Sequence, residues 1–202
     1  PLLIGSTSDS EFMTNTSLLP ANNGKITSNV YYDNTFPNAL AKVFTKSGYY
    51  SMATHNNYGV YYNRDVMMPK LGYDFFDSNR IKAEDTVADS YVIDYIKWIM
   101  YEQEHYFSYW ITYTSHQPYG KDTLNEQQLG YYELVEERFP DIDEEVKVYY
   151  AKVMDLDRGL QKLLIDYKNS KVLDDLVIMI YGDHFPKGIF ENKEDYRELC
   201  EG

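Results

Sequence analysis

The chain has 202 residues, 44% of them hydrophobic, enough to bury a sizeable core and better suited to one domain than to two. A formal net charge of −13 excludes general attraction to nucleic acid or to anionic lipid, which repel such a chain at long range, so any phosphate-handling site must be locally electropositive. No run reaches the roughly 18 to 20 apolar residues of a membrane span, the opening Pro1-Leu2-Leu3-Ile4-Gly5 lacks a signal peptide's basic flank, and the single Cys200 excludes an intrachain disulfide.

Gly5 to Glu11 is a run of small hydroxyl and acidic residues ahead of Phe12 and Met13. It reads as a helix start, where free backbone amides attract anions. A hydroxyl there could attack phosphorus if a divalent metal lowered its pKa. The plainer alternative is a capping box formed by Ser8 and Glu11.

Thr35 to Lys46 reads as a helix, with Thr35 as cap, Pro37 in the first turn and Gly48 as its stop, and Tyr49 to Thr54 as a strand. After that strand, His55-Asn56-Asn57 leads through Tyr62 to Asn63-Arg64-Asp65, which puts an imidazole, a cation and several amides on one loop. Arg64 could hold a phosphate bidentately, or simply pair with Asp65 at the surface. The chain's 22 tyrosines suit packing at partly wet core edges; Tyr62 has a neighbourhood that would also suit an aromatic wall against a sugar or glycerol.

Thr86 to Met100 carries apolar residues at helical spacing, and Tyr106 to Thr112 is aromatic and β-branched enough for a buried strand, with a turn at Glu102 to His105 between them. Thr112 to Pro118 offers His116 for substrate hydroxyls or for proton transfer to a leaving alkoxide. Gln117 to Asp143 reads as a long acidic loop, Glu144 to Tyr167 as an amphipathic helix, Leu176 to Tyr181 as a strand and Phe190 to Gly202 as a short polar helix.

Alternating strand and helix periods predict an α/β sandwich. His55, His116 and the Asp183-His184 pair each follow a predicted strand, and side chains past the carboxyl ends of parallel strands gather along one sheet edge. His105 precedes its strand and falls at the opposite edge. Gly182-Asp183-His184 places a hard carboxylate beside an imidazole, a pair able to ligate a divalent metal. A loop hydrogen bond is the simpler role.

Four blocks, Ser6 to Phe12, His55 to Met67 with Leu71 to Asp74, Thr112 to Pro118, and Tyr181 to His184, occur in the order found in a known family. The chain resembles the extracellular domain of lipoteichoic acid synthases, phosphoglycerol transferases of the alkaline phosphatase and sulfatase superfamily. The resemblance implies a sandwich with a mainly parallel central sheet flanked by helices, here as a single partial domain spanning residues 1–202. It implies Thr7 as a nucleophile that takes glycerophosphate from phosphatidylglycerol and passes it to a glycolipid or polyglycerophosphate acceptor. Asp183, His184 and the Thr7 oxygen would bind manganese, and His55, Tyr62, Arg64 and His116 would surround the glycerophosphate.

The family commonly has tryptophan where Tyr62 stands. It also has a glutamate metal ligand that would fall upstream of Pro1, so the 202 residues alone are expected to bind metal weakly or not at all and to have little activity. A membrane anchor is expected outside this stretch, with the catalytic domain outside the bacterial cell. The alternatives are a phosphoethanolamine transferase, a phosphodiesterase or a sulfatase of the same superfamily, or a remnant that binds polymer without turning it over.

Overall fold

A computed structural model describes residues 6–20, 23–81, 88–184, 186 and 188–189. Helix α1 spans Thr7–Thr16, α2 Thr27–Tyr31 and α3 Leu40–Lys46, after which strand β1 runs Tyr50–His55. Then come α4 (Arg64–Leu71), β2 (Asp74–Phe76), α5 (Ser78–Ile81), α6 (Asp89–Tyr101) and β3 (Tyr106–Ile111). Helices α7 (Glu126–Arg138) and α8 (Glu144–Asn169) are the last α-helices among the described residues.

The three strands form a parallel sheet in the order β2-β1-β3, with Met52 opposite Asp74 and Ser108, and His55 opposite Ile111. Alternation along the strands sends neighbouring side chains to opposite faces. Ala53, Phe107 and Tyr109 pack with Phe12 of α1, Ala41 of α3 and Met67, Met68 and Leu71 of α4. Met52, Tyr106 and Trp110 pack on the other face with Val92, Ile93, Ile96 and Met100 of α6 and with Leu163 and Tyr167 of α8. Helices therefore cover both faces of a parallel sheet, as the alternating periods predict.

Several elements depart from the sequence reading. The helix expected from Thr35 begins at Leu40, because Phe36 to Ala39 make a turn and Ala39 is extended, with ψ 144°. The acidic stretch 117–143 is not one loop. It contains α7, whose Asn125 side chain accepts from the Gln128 N–H while the Gln128 side chain returns to the Asn125 N–H. Tyr132 and Val135 are buried, and Tyr132 packs against Val148 and Ala151 of α8.

Leu176 to Tyr181 is not a strand. It forms no ladder with the described residues, and Val177, Met179 and Ile180 are exposed at 95%, 80% and 72%. β-Branched composition gives a preference for pleated backbone, whereas a strand also needs a neighbour to pair with. At its end the Tyr181 and Tyr109 hydroxyls are hydrogen-bonded at 2.7 Å. The polar stretch expected to be helical from Phe190 to Gly202 lies outside the described residues.

Candidate active site

The box that opens α1 is formed by Ser6 and Asp9 rather than by Ser8 and Glu11. Helical φ/ψ begin at Thr7, so the cap falls one residue earlier. Ser8 instead turns inward and meets Ser28 of α2. The shift frees Glu11 for another task, and it places Thr7 in the first turn.

Residues three and four apart share a helix face, so Thr7, Ser10 and Glu11 form one stripe on α1. The Ser10 hydroxyl donates to the Asp183 carbonyl at 2.8 Å, tying a segment 173 residues away to this stripe. Glu11 accepts from Arg64 Nε at 3.0 and 3.1 Å and from Nη2 at 2.5 Å, with both side chains more than nine-tenths buried. Arg64 thus has a buried partner, not the surface pair with Asp65 that the sequence also allowed. Its guanidinium lies 4.9 Å from the centre of the Tyr62 ring. Tyr62 itself sits in a 3-10 turn at φ 56°. A cavity of about 10 Å³ lies among Glu11, Arg64 and Tyr62, room for one water at most.

Desolvation raises the Glu11 carboxyl while Arg64 pulls it down. The carboxylate is the form that fits this contact, because a neutral acid would leave a buried guanidinium without compensation. His55, the last residue of β1, is also buried, and burial followed by the Arg64 charge lowers its pKa to about 3. Its Nδ1 lies 2.9 Å from the Ile111 carbonyl. A carbonyl can only accept, so Nδ1 carries the proton and Nε2 is left as an acceptor.

Past β3, the Tyr113 ring bridges two histidines, edge-on to His55 at 5.7 Å and stacked on His116 at 5.8 Å. The His116 ring in turn stands edge-on to His184 at 6.4 Å. Contacts run from His55 through Tyr113 and His116 to His184 and Asp183, and α1 holds Asp183 through Ser10 and Arg64 through Glu11. His105, at the start of β3, lies at the other sheet edge against Tyr49, as its position predicts.

Two buried charges brace the His116 loop from behind. Asp89, in the first turn of α6, accepts from the Tyr113 and Thr114 N–H groups and from the Thr114 hydroxyl. Lys152 of α8 donates to the Pro118 carbonyl at 2.8 Å and, at 3.4 Å, to that of His116. Neither residue stood out in the sequence, where both belong to ordinary amphipathic helices.

Asp183 and His184 make the loop contact that was their simpler expected role. Asp183 Oδ1 accepts the His184 N–H at 2.8 Å, while Oδ2 lies 3.4 Å from His184 Nε2. A carboxylate, an imidazole and a nearby hydroxyl are suitable donors for a divalent cation. Among the described residues no three His, Cys, Asp or Glu side chains converge.

The sulfatase family pattern matches residues 4–198. The chain belongs to the sulfatase family. This sulfatase-family chain is 30% identical over 206 residues to the lipoteichoic acid synthase of Staphylococcus saprophyticus and 31% identical over 210 residues to that of Staphylococcus aureus. Both alignments take in 98% of the chain but only 30% of the relative. The chain therefore spans less than a third of the length of these relatives.

Among solved structures it is similar to the lipoteichoic acid synthase LtaP from Listeria monocytogenes, with a TM-score of 0.75 and 24% identity over 96% of this chain and 48% of that one. It is also similar to the Streptococcus pyogenes phosphoglycerol transferase GacH in complex with sn-glycerol-1-phosphate, with a TM-score of 0.56, 18% identity, and coverage of 82% and 45%. At these identities the two structures establish the sulfatase-like fold.

Proposed function

We propose that the chain carries the reaction centre of a phosphoglycerol transferase of the lipoteichoic acid synthase type, as part of a single catalytic domain. The observation that carries this reading is the Ser10–Asp183 hydrogen bond, which fastens the Asp183-His184 segment one helical turn from Thr7. The reaction is transfer of glycerophosphate from phosphatidylglycerol to a teichoic-acid or glycolipid acceptor, in two displacements at phosphorus.

In the first, a bond forms between Thr7 Oγ and phosphorus as the bond to the diacylglycerol oxygen breaks. The Thr7 proton ends on that oxygen, with His116 as its carrier. In the second, an acceptor hydroxyl attacks phosphorus, the bond to Thr7 breaks, and the acceptor's proton returns to Thr7 by the same route. Arg64 offers its charge to the phosphoryl oxygens. His55, neutral and acceptor-only at Nε2, suits a glycerol hydroxyl, and Tyr62 walls the headgroup.

Asp183, His184 and the Thr7 oxygen would hold a divalent cation, manganese by family resemblance, with a glutamate from outside these 202 residues as a further ligand. Bound there, such a cation lowers the pKa of the Thr7 hydroxyl. The same reading assigns the protein to the bacterial cell membrane, with its catalytic domain outside. No helix among the described residues is long and apolar enough to cross a membrane.

Release of diacylglycerol from labelled phosphatidylglycerol by the full-length protein tests the proposal. Thr7→Ala is expected to lower the rate by roughly 10³-fold or more. Equal rates in the two proteins would remove Thr7 from the chemistry.

A further inference from the structure

Arg64 has five N–H donors in a planar fork. Glu11 engages Nε and Nη2 from one edge, while Nη1 faces the Tyr61 carbonyl at 3.5 Å, too long for a strong bond. Among the described residues, the edge formed by Nη1 and the second Nη2 hydrogen is thus the one left for an anion. Its direction is set by the carboxylate behind it. That carboxylate sits on α1 four residues from Thr7, so the orientation of the cation and the place of the hydroxyl come from one rigid element.

We propose that Glu11 is a positioning residue, which turns the Nη edge of Arg64 toward the phosphoryl oxygens of a group bound beside Thr7. The proposal rests on the phosphoglycerol-transfer reading for the identity of the anion, and on the Glu11–Arg64 contact for the role. Position and charge make opposite demands here. Removing a carboxylate from beside an anion site strengthens the local positive potential, so charge alone predicts tighter phosphate binding without Glu11. Loss of orientation predicts weaker binding, because a guanidinium released from its partner must be ordered anew by each ligand.

Calorimetric titration of sn-glycerol-1-phosphate into the full-length protein and its Glu11→Gln and Glu11→Asp variants decides between them. Glu11→Gln keeps the shape and loses the charge; Glu11→Asp keeps the charge and shortens the reach. Both are expected to weaken binding by roughly tenfold or more, and the effect of Glu11→Gln is expected to vanish in an Arg64→Lys background, where no fork remains to be aimed. Circular dichroism checks the fold of each variant, and should Glu11→Gln not fold, Glu11→Asp carries the test.

Unchanged or tighter binding in a folded variant, an equal loss in the Arg64→Lys background, or no binding by the parent protein overturns the assignment. Diacylglycerol release is measured alongside. If the parent releases none while binding still falls in the variants, the transfer reading fails and the role of Glu11 stands. If release is normal and binding is unmoved, the role of Glu11 fails alone.

Discussion

The Asp89 carboxylate grips Thr114 twice, accepting its N–H at 2.9 Å and its hydroxyl at 2.6 Å, in a position that is 3% exposed. Thr114 lies two residues before His116, so α6 reaches the candidate site through this contact.

Asp89→Asn turns one acceptor oxygen into an NH2 group that faces backbone donors. It is expected to destabilise the chain by about 2 kcal/mol, the scale of a buried donor left unsatisfied. Transfer by the full-length protein is expected to fall about 10- to 100-fold, since a small displacement of His116 suffices for that. Denaturant melts and diacylglycerol release measure the two effects. Normal stability would show that the loop holds without its brace.

Ser10→Ala deletes the bond to the Asp183 carbonyl, at a cost of about 1 kcal/mol. Activity is expected to suffer more than stability, because the bond ties the Asp183-His184 segment to the helix that carries Thr7. Thermal melts compared with turnover of the full-length protein check this. A loss of stability with unchanged turnover would count against the tether.

His55 makes stability depend on pH. Its imidazole titrates near 6.5 when free and at about 3 in the folded chain, so between those values the unfolded chain binds a proton that the folded chain refuses. Stability from this residue is complete above pH 6.5 and is lost as pH falls toward 3. The melting temperature of His55→Gln is expected to fall less steeply across that window than that of the parent. Parallel curves would contradict a buried neutral imidazole.

Gly159 on α8 faces α6 at close range. An added Cβ would lie 2.9 Å from Ser90 Cα, a backbone atom that cannot swing aside. Alanine would improve helix propensity by about 1 kcal/mol, while overpacking of this kind costs about 1–3 kcal/mol. The clash is expected to win, so Gly159→Ala melts lower than the parent. A higher melting temperature would mean that the two helices separate easily.

How much could be read in the sequence follows from which signals are local. β1 is legible as a buried strand, β3 from its aromatic and β-branched run although most of it is only half-buried, and α8 because its apolar stripe runs for many turns. α7 was missed although Asn125 and Gln128 spell a cap, since its few buried residues are diluted by Glu126, Glu133, Glu136 and Glu137. The segment 176–181 has the composition of a strand, but pairing belongs to tertiary structure.

The same division runs through the site. His55, Arg64, His116, Asp183 and His184 are marked by residue type and by position near predicted strand ends, whereas Thr7 is marked by the family resemblance. Glu11, Asp89 and Lys152 act on partners tens of residues away, and their spacing on ordinary helices announces nothing. The Ser6–Asp9 cap shows how a shift of two residues in a helix start changes which acidic side chain is free.

The stripe on α1 makes the site respond as a mechanism with one moving part. Thr7, Ser10 and Glu11 share a rod, so any tilt or slide of that rod carries the hydroxyl, the anchor of Asp183 and the grip on Arg64 together. A one-residue insertion between Thr7 and Ser10 would turn the two halves about 100° apart, so that Thr7 and the Ser10-Glu11 pair could no longer face the site together. The intervening Ser8 and Asp9 lie off that face and hold the rod itself in place, Ser8 against Ser28 and Asp9 in the cap.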